Sequence, residues 1–221
     1  MSLSDDVAEY YSAMAGEYDV TAGYMDSVAE ERRFPIKTRF QKAFRGKDVL
    51  EIACGTGYWT RVISATARSV LAVDINETMI SIARKRLSSA PNVRCQVADA
   101  YTLKEISGHF TGTFAHWWWS HIPKSRIRPF LNTLHRKLVP GAFVLFADQL
   151  PYDWKNRRYD EGGNLLEERI LASGLKFEIV KNFPSRQEIV HNLSGIAEEV
   201  AYREYPEGHY WTVCYSVKED R

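Results

Sequence analysis

From residue 48 onward, short apolar runs alternate with longer segments of helical period, the pattern of repeated strand–helix units around a parallel sheet. Residues 48–52 read as the first strand. A helix over 57–67 follows, then a strand over 69–73 and a helix over 77–87 that carries Met79, Ile80, Ala83 and Leu87 on one face. Residues 92–97, 112–117 and 142–148 continue as strands three to five. The fourth and fifth are joined by a helix over 125–138 and the turn Val139, Pro140, Gly141.

Ahead of the first strand, residues 5–44 read as two helices rich in tyrosine (Tyr10, Tyr11, Tyr18, Tyr24), interrupted near Gly23 and Pro35. Past the fifth strand, apolar runs at 165–171 and 175–181 flank Ser173-Gly174, a two-residue hairpin signal. Ser185 and Glu188 form a capping box for a further helix, which Gly195 closes. Two last strands, 198–205 and 209–217, meet across Pro206, Glu207 and Gly208. No repeat, low-complexity tract or linker divides the chain, so the expectation is one unit over 1–221.

At 221 residues with 45% hydrophobic content, the chain can bury one sizeable core. Lys+Arg 29 against Asp+Glu 28 leaves a formal charge of +1, so no global field favours nucleic acid or anionic lipid. Cys54, Cys95 and Cys214 are scattered, which suggests neither a disulfide framework nor a thiolate metal site and fits a reducing cytoplasm. The acidic opening, Met1 to Asp6, lacks an export signal, and the most apolar stretch, 142–147, is far too short to span a membrane.

The chemistry concentrates where the first strand ends. Ala53, Cys54, Gly55, Thr56 and Gly57 are small enough for a tight turn that brings a ligand onto amides at a helix N-terminus. Asp74 ends the second strand about twenty residues later, the spacing at which a carboxylate meets ribose hydroxyls, and Asp99 follows the third strand. Three strands thus present groups at one sheet edge. A dinucleotide fingerprint would place glycine three positions beyond Gly57, where Thr60 stands. Glu51, inside the first strand, is costly to bury without a partner, and a ligand bearing an ammonium group would supply one.

With these residues in hand, the chain resembles the class I S-adenosylmethionine-dependent methyltransferases. Glu51 to Gly57 is similar to their first motif, with Ala53 where the family more often has glycine. Asp74 matches the ribose-binding acid, and Asp99-Ala100 the pair that holds adenine. Residues 110–123 resemble the fourth motif, with Thr111 where many members carry aspartate, and Tyr10-Tyr11 with Glu17, Tyr18 and Asp19 resemble the helix that closes over the cofactor. The resemblance covers roughly residues 8–150. It implies a Rossmann-like, doubly wound, mostly parallel seven-stranded α/β sheet with an antiparallel last strand, a hairpin insertion after the fifth strand and a helical cap over 1–45. The cofactor-binding core would span 46–150, and a hairpin lid with the C-terminal strands 151–221.

The implied cofactor is S-adenosylmethionine, leaving as S-adenosylhomocysteine, held by Tyr11, Tyr18, Arg33, Glu51, Ala53, Gly55, Gly57, Trp59, Asp74, Ile75, Met79, Asp99, Ala100 and Trp117. The reaction implied is methyl transfer to oxygen or nitrogen of a small-molecule acceptor, with no metal, no nucleic acid and no membrane, by a monomer or homodimer. Trp117, Trp118 and Trp119 are candidates to face a sulfonium. His121, at the site edge and titrating near neutrality, is the preferred general base, ahead of His116 and His209. The segment 206–211 is expected on the acceptor rim, and Arg157 and Arg158 on a lid meeting an anionic acceptor. Two other functions fit the same features: a nicotinamide-dependent oxidoreductase and a non-catalytic module that keeps the cofactor pocket.

Overall fold

The computed structural model describes residues 3–219. Met1, Ser2, Asp220 and Arg221, and with them the ends of the acidic opening and of the expected 1–221 unit, lie outside the described residues. Five parallel strands, β1 (Asp48–Ile52), β2 (Ser69–Asp74), β3 (Val93–Val97), β4 (Phe110–His116) and β5 (Leu138–Gln149), are extended by β9 (Ala197–Tyr205) and β10 (Tyr210–Val217). The sheet order is β3-β2-β1-β4-β5-β10-β9, with β10 antiparallel to both neighbours. Strand order reverses between β1 and β4, so the crevice for a ligand opens past the carboxyl ends of β1, β2 and β4.

Because the parallel strands are buried on both faces, alternate residues serve two cores. Leu50, Ile52, Val73, Val144 and Phe146 pack on one side with Phe130, Leu131 and Trp211. Val49, Val70, Ala72 and Phe114 pack on the other with Phe40, Phe44 and Trp59. Each fully buried aromatic contributes on the order of 1.5–3 kcal/mol.

The cap contains α1 (Leu3–Ala13), the short α2 (Tyr18–Thr21) and α3 (Ser27–Phe44). The chain does break near Gly23, but Pro35 lies inside α3 rather than ending it. Proline removes one amide donor and crowds the carbonyl four residues back. Burial of Ile36, Phe40 and Phe44 on one face, with an Asp26 side chain that accepts from the Val28 and Ala29 amides, holds the helix through it.

On the ligand side lie α4 (Tyr58–Ser64) after β1 and α5 (Glu77–Arg86) after β2. The joining helix before β5 is shorter than the period predicts: a 3-10 turn, Lys124–Arg126, precedes α6 (Ile127–His135). The expected turn at Val139–Gly141 is absorbed as an irregularity within β5, where Gly141 has φ +73° and the register to β4 shifts. The insertion is a three-stranded antiparallel sheet, β6 (Arg157–Tyr159), β7 (Leu165–Ile170) and β8 (Lys176–Val180), followed by α7 (Arg186–Leu193) with its capping box formed. The polar, non-alternating β6 carries no strand signal. Its sheet is held to the cap by Val7, Tyr10 and Met14 against Ile179, and by Tyr10 edge-on to Phe177 at 5.7 Å. Among the described residues no helix is long and apolar enough to cross a membrane.

Gly57 is the tightest point of this frame. Its φ of +79° disfavours any side chain, and a Cβ there would lie 2.9 Å from Leu87 Cδ1 and 3.1 Å from Ala83 Cβ. Gly57→Val should therefore cost about 2–4 kcal/mol, combining left-handed strain with overpacking. Urea denaturation should show a lower midpoint at unchanged slope, and a wild-type midpoint would refute the assignment.

Candidate active site

The ends of β1, β2, β3 and β4 and the N-terminal cap enclose a cavity of about 320 Å³. Ala53 (φ +52°), Gly55 (φ +55°) and Gly57 (φ +79°) all adopt left-handed backbone in the loop after β1, so Ala53 carries a strain that the family's more usual glycine avoids. The loop is fastened from two sides. Asp74 accepts from the Gly55 amide through Oδ2 and the Asn76 amide through Oδ1, both at 2.9 Å. Arg86 donates to the Thr56 carbonyl (2.9 Å) and hydroxyl (2.8 Å) and pairs with Asp19, which also accepts from the Thr56 hydroxyl (2.6 Å). The second link ties α2 over the loop, so cap and crevice are one unit of packing.

Tyr11, Tyr18, Ala53, Gly55, Asp74, Ile75, Met79, Asp99, Ala100, Trp117 and His121 line the cavity together. Ile75 is exposed and Met79 buried, an open and a closed side for one planar group. Asp99 accepts from the Tyr101 amide through Oδ1 (2.8 Å), which turns the next loop along the wall. The remaining expected residues fall differently. Glu51 and Trp59 line a small adjoining recess that shares Tyr18, Ala53 and His116 with the main cavity.

Gly57 acts behind the wall through the helix packing above. Arg33 lies off the cavity wall, its guanidinium donating to the Ala22 and Gly23 carbonyls (both 2.8 Å) and lying over the Tyr24 ring. Its placement is that of a strut for the cap turn.

Of the three tryptophans, Trp117 and Trp118 reach the cavity, whereas Trp119 is core, 5.1 Å from Phe146 and 6.1 Å from Trp211. Thr111 sits at the start of β4, its hydroxyl accepting from the Asp48 amide (2.9 Å). That is the sheet edge opposite the cavity, so its identity says nothing about catalysis. The 206–211 turn does lie at the ligand edge, since Tyr210 pairs with Gln149. It is nonetheless off the cavity wall: Trp211 is buried in the core, and Tyr205 stacks on Tyr210 at 4.6 Å. Arg157 and Arg158 are both held by carboxylates of their own sheet, Glu167 and Glu178.

Electrostatics single out two groups. Glu51 is 2% exposed, and its Oε2 is buried without a hydrogen-bond partner. Burial pushes its carboxyl up to about 8. His121 is also buried, with Nδ1 at 2.7 Å from the Val180 carbonyl and Nε2 at 2.9 Å from the Tyr11 hydroxyl. A carbonyl only accepts, so Nδ1 carries the proton and Nε2 is the acceptor, facing the cavity edge. Burial first, then the charge of Lys181, holds the imidazole well below its ordinary range and hence neutral, which corrects the sequence expectation that it titrates near neutrality. His116 is likewise neutral, driven down to about 3 by burial and then by Arg33, and stands where the cavity and the recess meet.

Sequence reasoning missed several wall residues. Asn76 caps α5 through the Thr78 and Met79 amides, a signal that its place before Glu77 offers. Arg126, 3.4 Å above the Tyr101 ring, has no such signal, because the two meet only through the fold. Among the described residues no three His, Cys, Asp or Glu side chains gather to hold a metal.

A seven-stranded sheet of this order, with its glycine loop and acid at the switch point, defines a Rossmann-like methyltransferase fold. A family model described as a methyltransferase domain matches residues 49–141. The chain is 29% identical over 157 residues to demethylmenaquinone methyltransferase of Symbiobacterium thermophilum, covering 68% of this chain and 59% of that one. It is 23% identical over 206 residues to malonyl-[acyl-carrier protein] O-methyltransferase of Serratia marcescens, covering 86% and 77%. Among solved structures, the DhpI–SAH complex superposes with a TM-score of 0.78 at 29% identity, covering 99% of this chain and 98% of that one. A DhpI–SAM–HEP complex gives 0.76 at 26%, covering 96% of each chain. The methyltransferase-domain match over residues 49–141 and the SAH- and SAM-bound neighbours support a class I S-adenosylmethionine-dependent methyltransferase with S-adenosylmethionine as its cofactor. The SAH- and SAM-bound neighbours favour this cofactor over the nicotinamide alternative.

Proposed function

We propose that the protein transfers a methyl group from S-adenosylmethionine to an oxygen or nitrogen of a small-molecule acceptor, the whole chain acting as one cytoplasmic unit. The observation that carries this reading is a single cavity with nucleoside-binding groups at one end and an oriented, neutral histidine at the other. The residues fit the cofactor. Asp74 would accept from the ribose hydroxyls, Asp99 and Ala100 would hold the adenine between Ile75 and Met79, and the orphaned Glu51 Oε2 would meet the ammonium group. Trp117 and Tyr18 line the cavity and could each offer a ring face to a sulfonium.

When bound, the cofactor supplies an electrophilic methyl whose bond to sulfur breaks with its electron pair kept by sulfur as the acceptor's lone pair forms the new bond. The protein's part is alignment, exclusion of water and custody of a proton. An acceptor proton passes to His121 Nε2, whose direction is set by the Nδ1 bond to Val180. Tyr11, which donates to Nε2 in this structure, must yield that position to the acceptor.

The test is S-adenosylhomocysteine release across an acceptor panel, with binding measured in parallel by calorimetry. His121→Ala should lower turnover by about 10²–10⁴-fold while changing cofactor affinity less than about threefold. Wild-type turnover in that variant would leave His121 a structural residue. Failure of the intact protein to bind the cofactor would sink the reading altogether.

A further inference from the structure

Beside the Tyr11–His121 edge of the cavity, the insertion sheet and the end of β5 enclose five charged side chains. Asp148 and Glu167 are fully buried, Lys181 is 2% exposed, and the Arg157 and Arg169 side chains are 22% and 20% exposed. Three cations against two anions leave one positive charge in excess.

The anions are already satisfied. Glu167 Oε1 accepts from Arg157 Nε (3.0 Å) and Nη2 (2.7 Å), and Oε2 accepts from Arg169 Nη2 (2.6 Å) and the Tyr152 hydroxyl (3.1 Å). Asp148 accepts from the Ser120 amide (2.8 Å), the Ser120 hydroxyl (3.1 Å) and the Gln149 amide (2.7 Å).

Arg157 is satisfied in turn, whereas Lys181 and Arg169 keep spare donors. The Lys181 ammonium has three protons and donates one hydrogen bond among the described residues, to Ser120 Oγ at 2.9 Å; its 3.7 Å approach to Asp148 is too long for another. Arg169 Nε is buried with no partner. Buried donors left unspent beside a net positive charge are expensive, and an oxyanion satisfies both at once.

Neither Lys181 nor Arg169 lines the cavity, but both lie close to its His121 edge. Ser120, which takes the Lys181 proton, directly precedes His121, and Val180, whose carbonyl orients His121, directly precedes Lys181. Arg169 pairs with Phe177 across β7 and β8, and Phe177 packs against Tyr10, the neighbour of Tyr11. The charges of Lys181 and Arg169 both bear on His121.

We propose, resting on the methyltransferase reading above, that the acceptor is a small molecule bearing an oxyanion, a carboxylate or a phosphorus oxyanion, which docks on Lys181 and Arg169 with its reacting end toward His121. On this proposal an anionic acceptor would be held by residues other than the Arg157 and Arg158 expected from sequence.

The test titrates inorganic phosphate, and acetate in parallel, into the full chain saturated with S-adenosylhomocysteine. At least one anion should bind saturably, the stronger showing which oxyanion the site prefers. Arg169→Gln and Lys181→Gln should each weaken it about tenfold or more, the loss of one charge-assisted hydrogen bond. Arg158→Gln, which removes a surface cation paired outside the site, should leave it unchanged. Should Lys181→Gln lose its melting transition, Arg169→Gln alone decides. No saturable binding of either anion, or equal affinity in Arg169→Gln, would overturn the proposal. S-adenosylhomocysteine affinity, expected within twofold of wild type in every folded variant, reports separately on the cofactor reading.

Discussion

Replacing Asp74 with alanine is expected to weaken S-adenosylhomocysteine binding by about 1–3 kcal/mol, roughly 5- to 150-fold. The carboxylate has two duties. It closes the glycine loop by accepting from the Gly55 and Asn76 amides, and it presents its remaining acceptor capacity to the cavity. Alanine leaves both amides unpaired and would remove the ribose contact proposed for Asp74. Asp74→Asn, which keeps one acceptor, should fall between the two. Calorimetry checks both variants, and undiminished affinity in the alanine variant would remove the ribose assignment.

The second large effect is a pH dependence centred on Glu51. Its carboxyl is raised to about 8 by burial, so in the free protein it is protonated at neutral pH. The cofactor's ammonium favours the ionised form and lowers the Glu51 pKa on binding, so a proton is released at pH values between that lowered value and about 8. Affinity should therefore climb by up to about tenfold per pH unit below 8 and level off above it. Calorimetry at pH 7 in buffers of different ionisation enthalpy should show release approaching one proton. Glu51→Gln should bind more weakly, with a flat profile and no linked proton.

The same shift makes a statement about the free protein's stability. A folded pKa above the unfolded value of 4.5 means that the folded state binds more protons. The contribution is complete below the unfolded value and is lost as pH rises through about 8. Thermal melts of the wild type should fall relative to Glu51→Gln over that window. A parallel course for the two proteins would show that Glu51 is ionised throughout.

Local chemistry was enough to lay out the core of this molecule. The alternation of apolar runs with helical period specifies five strands and their helices, because parallel strands covered on both faces leave an unbroken apolar signature. The small residues from Ala53 to Gly57 and the spacing to Asp74 are backbone requirements, and backbone requirements are written in consecutive residues. The same holds for the Ser185 cap and for a hairpin at Ser173-Gly174, although its loop is the three residues 172–174 rather than two. Where local rules misled, packing overrode them: Pro35 stays helical because Ile36, Phe40 and Phe44 are buried, and Val139–Gly141 stays within β5 as an irregularity.

The acceptor end was decided by tertiary structure alone. His121 is defined by Tyr11, 110 positions away, and by Val180, 59 positions away. That Trp117 and Trp118 reach the cavity while Trp119 enters the core follows a left-handed backbone turn at Trp117, φ +56°. Which cation keeps spare donors depends on where the carboxylates fall: Glu167 and Glu178 claim Arg157 and Arg158, while Lys181 donates to the Ser120 hydroxyl across 61 positions and lies 3.7 Å from Asp148. Hydrophobic period and turn chemistry act over a few residues and so can be read along the chain. Pairing of buried charges acts between side chains that only the closed fold makes neighbours.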